Sequence, residues 1–279
     1  MDAYREIIVG TDGSPTATCA VLAAIEVARA CKSTLSVATA WYRHMPDEPV
    51  PSEKVKYPGG NPAAQEARWA GETANDAASI ARSAGLADVR SLSPEGNAAD
   101  ALLRLAEERR DVLLVVGTLG LSDRTERLLG NIPHQITHHS IRDVLLVRTD
   151  GCEDGYAWSS VALATDGSKT AAEAVRHGLA LANALGATAT LLTVAKDRAA
   201  GEEVLDRVAA DLPDGHRLDR RIVEAGTDVA HAIADGAGEF DLLVLGNKGM
   251  SGPSRLLGSV ANKVTHLVPT DLLLVNTTR

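Results

Sequence analysis

Aromatic side chains are scarce in this chain: Phe, Trp and Tyr together make up 3% of its 279 residues. The hydrophobic cores must therefore be built from Ala, Val, Leu and Ile. Long apolar runs are also missing, since none reaches the about eighteen residues that a membrane-spanning helix needs. The start Met-Asp-Ala-Tyr-Arg-Glu lacks the form of a signal peptide. We therefore expect a cytoplasmic globular protein with about two domains and no membrane association.

Cysteine and positive charge are in short supply as well. The three cysteines, Cys19, Cys31 and Cys152, are odd in number and have no spacing typical of a metal site. Such a set is typical of the reduced thiols of a cytosolic protein. The formal net charge is −9, and both halves of the chain contribute to it. This acidity argues against non-specific binding to nucleic acid.

Signatures of several enzyme classes are absent too. The chain has no Gly-x-Ser-x-Gly elbow, no Gly-x4-Gly-Lys-Ser/Thr loop, no set of kinase motifs and no His-Glu-x2-His. His134 and His138 stand one turn apart in a helical pattern, but no carboxylate or cysteine joins them at a suitable spacing. We expect these histidines on a helix surface or at a domain interface. The sequence predicts neither a metal site nor a catalytic residue.

What the chain does contain is an internal repeat of domain size. The first half opens with Glu6-Ile-Ile-Val-Gly-Thr-Asp-Gly-Ser14, and the second with Ser160-Val-Ala-Leu-Ala-Thr-Asp-Gly-Ser168. In each, a short apolar strand runs into a turn, and the final Ser suits the N-cap of the helical pattern that follows. Asp12 thus corresponds to Asp166. These two carboxylates are candidates either for ligand contacts or for ordinary turn and capping chemistry.

A glycine-punctuated loop recurs near the end of each half. The first runs from Gly117-Thr-Leu-Gly120 to Gly130-Asn131, and the second from Gly246-Asn-Lys-Gly249 to Gly258-Ser259. Each loop follows an apolar run and leads into a helical pattern. Glycines let the backbone approach an anion, and the first N–H groups of a helix point at it with the positive end of the dipole. The loops therefore predict two phosphate sites, with plain turn glycines as the alternative.

Five cations lie in or near these loops and are candidates either for phosphate contacts or for solvated surface charges: Arg124, Arg127, Lys248, Arg255 and Lys263.

Strand and helix patterns alternate in the order β-α-β-α-β-α-β-α-β in each half. Strands that are apolar throughout and alternate with helices indicate a parallel sheet covered on both faces. We therefore predict an α/β protein with two tandem, doubly wound, Rossmann-like domains, at residues 1–149 and 159–279, joined by a polar linker at 150–158. In such sheets ligands bind beyond the carboxyl ends of the strands. The first half also holds an insertion, at about 42–69, that is predicted to be a lid or a surface loop.

This combination of motifs resembles the universal stress protein family, in the tandem two-domain form common in actinobacteria. The resemblance rests on a strand followed by Thr-Asp-Gly-Ser, and on a loop close to Gly-x2-Gly-x9-Gly-Ser/Thr after the fourth strand, both repeated in order. It implies a five-stranded parallel sheet in each domain and bound ATP, an adenine nucleotide, with Mg²⁺. It also implies that the two halves pair as a pseudo-dimer through their last strands, residues 143–147 and 271–275.

The resemblance also implies roles for individual residues. Asp12 and Asp166 would contact the ribose and adenine region, and the backbones of Ala40 and Val194, at the ends of the second strands, would meet the adenine edge. The phosphate loops would be lined by Gly117, Gly120, Gly130 and Asn131 in the first domain, and by Gly246, Gly249, Gly258 and Ser259 in the second. Asn131 stands where the family has a hydroxyl residue, and the second loop is one residue short.

Three functions remain open on the sequence alone. The first is an ATP-binding stress-response regulator with one pocket in each domain, acting on an unidentified regulatory partner, and associating as a homodimer of tandem chains. The second is a slow ATP hydrolase or an enzyme that handles adenylate, with loop donors and Mg²⁺ polarising the phosphate. The third is an interaction protein that binds no nucleotide.

Overall fold

The structure is a computed structural model that describes residues 4–43, 61–118, 129–149, 152, 155–212, 218–224, 226, 228–247 and 257–278. The predicted β-α alternation is confirmed in both halves. The elements of the first domain are β1 (Glu6–Gly10), α1 (Pro15–Cys31), β2 (Thr34–Ala38), α2 (Pro62–Ser83), β3 (Val89–Leu92), α3 (Ala98–Glu107), β4 (Val112–Gly117), α4 (Asn131–His139) and β5 (Asp143–Val147).

The second domain repeats this order of elements. They are β6 (Ser160–Ala164), α5 (Lys169–Leu185), β7 (Thr188–Ala195), α6 (Arg198–Ala210), β8 (Asp219–Glu224), α7 (Val229–Ala237), β9 (Leu242–Gly246), α8 (Ser259–Leu267) and β10 (Asp271–Val275). Within each domain the strands pair in parallel, with the fourth strand between the first and the fifth.

The two domains join through their last strands, as predicted. β5 and β10 run antiparallel, with Leu146 opposite Leu272 and Val144 opposite Leu274. The described strands therefore form one ten-stranded sheet in the order β3-β2-β1-β4-β5-β10-β9-β6-β7-β8. We call the β5–β10 pair and the helices beside it the seam.

Helices cover both faces of this sheet, which explains why its strands are apolar throughout. Ile7 and Val9 point into the core under α1, α2, α5 and α6, whereas Ile8 points into the core under α3, α4, α7 and α8. All three side chains are fully buried. Small residues let the helices approach closely: a Cβ on Gly178 of α5 would lie 2.6 Å from Leu163 of β6. Scarce aromatics are thus compatible with dense packing.

Two buried carboxylates hold the seam together. Asp143 begins β5 and accepts hydrogen bonds from the hydroxyl of Tyr4, at 2.9 Å, and from the backbone N–H of Asn276, at 2.9 Å, beyond the end of β10. Asp271 begins β10 and accepts from the backbone N–H of Arg148, at 2.6 Å, beyond the end of β5. Each carboxylate therefore binds the chain as it leaves the other domain's last strand.

Three expectations need correction. β2 ends at Ala38, so Ala40 lies just beyond the strand rather than at its last position. The insertion does not reach residue 69, because Asn61 caps α2 and Pro62 begins it, and proline suits the first turn of a helix. Residues 44–60 of the insertion lie outside the described part of the chain.

The third correction concerns the thiols. Cys19 and Cys152 form a disulfide across 133 residues of sequence, whereas Cys31 is not part of a disulfide. The sequence gives no signal for this pairing. The two residues meet because α1 packs near the end of β5, from which the linker departs. Within the described residues, no helix is long and apolar enough to cross a membrane.

Candidate functional site

The predicted site residues lie along one edge of each domain's sheet. β1 pairs in parallel with both β2 and β4, so the residues that follow all three strands emerge at the same edge. Asp12 follows β1, Ala40 follows β2, and Gly117 ends β4. The strand order reverses between β1 and β4, and the carboxyl edge at such a switch point is where open α/β sheets bind ligands.

The turn after β1 is built by side chains that bond to its own backbone. The hydroxyl of Thr11 accepts a hydrogen bond from the N–H of Gly13 at 3.2 Å, and Asp12 accepts one from the N–H of Ser14 at 3.0 Å. Gly13 has φ +76, a left-handed conformation that favours glycine. Ser14 then caps α1 by accepting from the N–H of Ala17 at 3.0 Å. The turn thus presents Asp12 at the sheet edge.

The second domain builds the same turn. Thr165 accepts from the N–H of Gly167 at 3.1 Å, and Asp166 accepts from the N–H of Ser168 at 2.9 Å. Gly167 has φ +77. In both copies the serine caps the helix and the aspartate shapes the turn. The capping role considered for Asp12 and Asp166 therefore belongs to their neighbours Ser14 and Ser168.

The two ends of each glycine loop are tied to one another. In the first domain the N–H of Thr118 donates to the carbonyl of Val147 at 2.9 Å, and the N–H of Gly130 donates to the carbonyl of Thr118 at 2.9 Å. In the second, Asn247 donates to Val275 at 2.9 Å and Gly258 to Asn247 at 2.8 Å. The two ends of each glycine loop are therefore held at fixed points beside the last strand of the domain. Gly120 and Gly249 lie outside the described residues.

The helices that follow these loops begin without a side-chain cap. Gly130 precedes α4 and Gly258 precedes α8, and neither helix has a side-chain hydrogen bond at its N-cap. The other six described helices are each capped by a side chain, namely Ser14, Asn61, Asn97, Ser168, Asp197 and Asp228. Glycine in place of such a cap costs a helix only about a few tenths of a kcal/mol. The first N–H groups of α4 and α8 are thus left for another partner.

The residues that open these two helices differ. Asn131 begins α4, and its side-chain oxygen accepts from Nε2 of Gln135 at 3.0 Å. Ser259 begins α8. Asn131 and Ser259 are each the first residue of their helix. The predicted difference, an amide in the first domain and a hydroxyl in the second, therefore lies at equivalent positions of the two domains.

The residues predicted to meet an adenine edge lie beside buried threonines. Ala40 is half-buried, and Val194 pairs with Val223 within the sheet. The preceding residues, Thr39 and Thr193, are each 1% exposed. Thr193 donates to the carbonyl of Thr165 at 2.8 Å, whereas the hydroxyl of Thr39 has no partner among the described residues.

One of the five candidate loop cations is described, and it is already paired. Nζ of Lys263 donates to Asp228, the N-cap of α7, at 2.9 Å. The Lys263 hydrogen bond, together with the N–H of Ala230, lowers the pKa of Asp228 to about 2. Arg124, Arg127, Lys248 and Arg255 lie outside the described residues.

The histidines lie at the seam between the two domains. Of the two locations predicted for them, a helix surface or a domain interface, the structure shows the interface. Nε2 of His138 lies 3.0 Å from Oδ1 of Asn262 on α8, and the ring of His134 lies 6.2 Å from that of His266. Burial, followed by repulsion from His138 and His266, lowers the pKa of His134. Among the described residues no group of three or more His, Cys, Asp or Glu is arranged to hold a metal ion.

The comparison with known families decides the classification. A model of the universal stress protein family matches residues 3–148 and again residues 158–276. The chain belongs to the universal stress protein family.

Two curated relatives are universal stress proteins MT1672 and Rv1636 of Mycobacterium tuberculosis. Each is 35% identical to this universal stress protein over 153 residues, which span 53% of this chain and 99% of the relative. Each relative therefore matches about one half of the tandem chain.

Solved structures show the same fold. A universal stress protein from Archaeoglobus fulgidus DSM 4304 superposes with a TM-score of 0.71 at 17% identity, covering 98% of both chains. A universal stress protein solved in complex with cAMP is 33% identical, covers 53% of this chain and 98% of its own, and has a TM-score of 0.40.

Sequence reasoning missed two features of this universal stress protein's ligand edge. The first is the pair Thr118 and Asn247, whose carbonyls close the glycine loops. The second is the absence of a cap on α4 and α8. The missing caps could have been predicted from the sequence, because glycine stands at the N-cap of α4 and α8 where the other described helices have Ser, Asn or Asp.

Proposed function

We propose that this universal stress protein is an ATP-binding stress-response regulator with one nucleotide pocket in each domain. The pockets lie at the carboxyl edges of the two half-sheets. The residues assigned to them are Asp12, Ala40, Gly117, Gly120, Gly130 and Asn131 in the first domain, and Asp166, Val194, Gly246, Gly249, Gly258 and Ser259 in the second. We also propose the division into domains at 1–149 and 159–279, a cytoplasmic location, and association of tandem chains into a homodimer.

The observation that carries this proposal is the pair of uncapped helices. α4 and α8 are the helices that follow the glycine loops, and they lack the side-chain acceptor that the other described helices have. Helix N-termini of this kind attract anions, because their N–H groups and the helix dipole both favour negative charge. A phosphate group would supply the missing acceptor twice in the same chain.

The remaining residues fit the rest of an adenine nucleotide. Asp12 and Asp166 stand on rigid turns beside the glycine loops, where a carboxylate can accept hydrogen bonds from ribose hydroxyls. Backbone groups of Ala40 and Val194 stand on the far side of β1 and β6, where an adenine edge would meet them. The described residues offer no metal cluster of their own, so Mg²⁺ would be held mainly by phosphate oxygens and water. When bound, it would neutralise phosphate charge.

The test is to denature the purified protein and identify the nucleotide released per chain by chromatography and mass spectrometry. We expect close to two ATP per chain. Gly130→Asp and Gly258→Asp should each remove one, because a carboxylate at the N-cap stabilises the helix while repelling phosphate. Both glycines have negative φ, −61 and −60, so a side chain is tolerated there. Gly130→Ser and Gly258→Ser are the matched controls, since a neutral hydroxyl can donate to phosphate.

Other outcomes select the alternatives. Release of ADP or AMP above background, after incubation with ATP and Mg²⁺, would favour a hydrolase or an adenylate-handling enzyme. Release of cAMP would keep the pockets and change the ligand. No nucleotide after the same incubation would overturn the proposal and leave an interaction protein that binds none.

A further inference from the structure

The disulfide between Cys19 and Cys152 ties the linker to the first domain beside its proposed pocket. Cys19 lies on α1 one turn after Pro15, and five residues after Ser14, the N-cap of the Asp12 turn. Its Sγ lies 3.7 Å from the carbonyl oxygen of Thr149, the second residue after β5. The cross-link therefore joins the start of α1 to the chain that leaves β5.

Both ends of this cross-link lead directly to the nucleotide edge. On one side, the first turn of α1 continues into Ser14 and Asp12, which are bonded to each other. On the other side, Val147 accepts from the N–H of Thr118, whose carbonyl accepts from Gly130. The cross-link thus spans the two loops that are proposed to hold the nucleotide, and no other described covalent contact does so.

The second domain has no such cross-link. The position of Cys19 in α1 is taken in α5 by Glu173, counting from the serine caps Ser14 and Ser168. The chain leaving β10 is held instead by hydrogen bonds, from the N–H and hydroxyl of Thr277 to Asn247, at 3.1 and 3.2 Å. The fold therefore does not require the disulfide at this place. The second site is an internal control for anything the disulfide does to the first.

Cys152 is the more exposed of the two bonded cysteines. Cys19 is 2% exposed, whereas Cys152 is half-buried and lines an open cavity of about 270 Å³ beside the linker. Arg148, Tyr156, Trp158 and Asp271 line the same cavity. Reagents the size of a small thiol or a peroxide therefore meet Cys152 first.

We propose that Cys19 and Cys152 form a reversible redox site that controls nucleotide affinity in the first domain and not in the second. This inference rests on the proposed function, because nucleotide affinity is the quantity that the disulfide is proposed to change. The opening and closing of the disulfide itself does not depend on the proposed function. In the oxidised state the Asp12 turn and the glycine loop are tethered to one segment of chain. In the reduced state Cys152 is no longer covalently joined to α1, so the Asp12 turn and the start of the glycine loop lose their shared tether.

The chemistry balances with reagents of two classes. A small thiolate attacks Sγ of Cys152, the Sγ–Sγ bond breaks, and Cys19 leaves as a thiolate. A second thiolate then releases Cys152 and leaves as the oxidised disulfide of the reagent, so two electrons enter the protein. In the reverse direction, the Cys152 thiolate attacks a peroxide oxygen to give a sulfenic acid and hydroxide. The Cys19 thiolate then displaces hydroxide and closes the disulfide.

The first experiment tests the cross-link without any nucleotide. Peptide mapping of the full chain without reductant should recover Cys19 joined to Cys152 and Cys31 in no disulfide, and treatment with a small dithiol should separate Cys19 from Cys152. Arg148 is followed by no Lys or Arg until Lys169, so trypsin offers one scissile bond at the linker. Reduction should speed cleavage after Arg148 at least about fivefold. Complete alkylation of Cys19 and Cys152 after peroxide treatment, or equal cleavage in both states, would overturn the site.

The second experiment tests the coupling. Gly258→Asp isolates the first pocket and Gly130→Asp the second, and ATP affinity is measured for each in the oxidised and reduced states. Reduction should weaken the first pocket about fivefold or more, the lower end of typical allosteric coupling, and leave the second unchanged. Cys19→Ser and Cys152→Ser should behave as the reduced protein, and Cys31→Ser as the wild type.

The failures are distinguishable. Equal affinities of the first pocket in both states, with a cross-link that forms and opens, would overturn the coupling alone. A change in both pockets would show a global effect of reduction and would also overturn it. Absence of ATP binding in either state would overturn the proposed function together with the coupling, while the trypsin result would still decide on the cross-link.

Discussion

The two domains share one scaffold but hold the carboxyl edges of their sheets by different means. In the second domain the edge is held by hydrogen bonds. The hydroxyl of Thr193 donates to the carbonyl of Thr165, and the N–H of Thr277 donates to Oδ1 of Asn247. In the first domain, the hydroxyl equivalent to that of Thr193, on Thr39, has no partner among the described residues, and a disulfide ties the chain after β5 to α1. The repeat therefore preserves strands, turns and loop anchors, whereas the contacts behind them have diverged.

This difference teaches that sequence repetition predicts geometry better than it predicts regulation. The Asp12 and Asp166 turns agree in every bond described above, so their positions are equivalent. The contacts around the two edges nevertheless differ, since a disulfide lies behind the first and the Lys263–Asp228 pair lies beside the second. The predictions that follow test how far the two domains can be treated as equivalent.

The largest expected effect concerns the seam, where each domain places a buried aspartate at the start of its last strand. Asp143→Ala and Asp271→Ala should each lower the free energy of unfolding by about 3 kcal/mol, because each leaves several buried donors unpaired. The measurement is urea denaturation followed by circular dichroism. Asp76→Ala, on the exposed face of α2, is the control and should change stability by less than about 0.5 kcal/mol. A large loss for one seam variant alone would break the equivalence of the two carboxylates.

A smaller effect separates the two buried threonines. Thr193→Val should cost about 1 kcal/mol, because it removes the hydrogen bond to the carbonyl of Thr165. Thr39→Val should be neutral or stabilising by up to about 1 kcal/mol, since its hydroxyl is buried at 1% exposure without a partner among the described residues. Each variant is the other's control in the same denaturation assay. Equal losses for both would show that Thr39 does have a partner.

The smallest effect concerns acid. The pKa of Asp228 is lowered to about 2, chiefly by Lys263. Its contribution to stability is therefore present above the ordinary pKa of about 3.9 and is lost as the pH falls through about 2. Lys263→Ala should move the pKa of Asp228 upward, toward the ordinary value, as measured by NMR titration of its carboxyl group.

The first domain supplies the comparison for this titration. Its α3 is capped by the neutral Asn97 in place of Asp228, and Gln135 on α4 stands where α8 has Lys263, four residues into the helix. Gln135→Ala should leave the titration of Asp228 unchanged. A pKa of Asp228 that stays near 2 in the Lys263→Ala variant would assign the shift to the N–H of Ala230 instead.

Most of the fold could be predicted because it depends on local patterns. Runs such as Val112–Gly117 are apolar throughout, and the turns after β1 and β6 carry their own capping residues, so element type and order follow from neighbouring residues. The pairing of β5 with β10 was implied by the family resemblance. The edge at which Asp12 and Gly117 meet follows from the parallel order of the strands.

The features that could not be predicted depend on contacts between distant residues. Cys19 and Cys152 are 133 positions apart, and nothing near either of them marks the other. The partner of Lys263 is likewise on another helix, so its pairing with Asp228 had no signal in the loop composition. The start of α2 was misplaced for a different reason: the prolines of the insertion favoured a loop, although Asn61-Pro62 is a helix start.

The linker has one more consequence, for how the seam can evolve. In a symmetric dimer any change in an interface residue occurs in both copies at once, and assembly depends on concentration. In this chain the linker makes the docking of β5 on β10 an intramolecular event, with an effective concentration on the order of millimolar. His138 of the first domain can therefore lie against Asn262 of the second. Asp143 is hydrogen-bonded to His177, whereas Asp271 is hydrogen-bonded to Tyr156 and Trp158. Tandem fusion has released the seam from self-complementarity, so that each side can specialise without losing its partner.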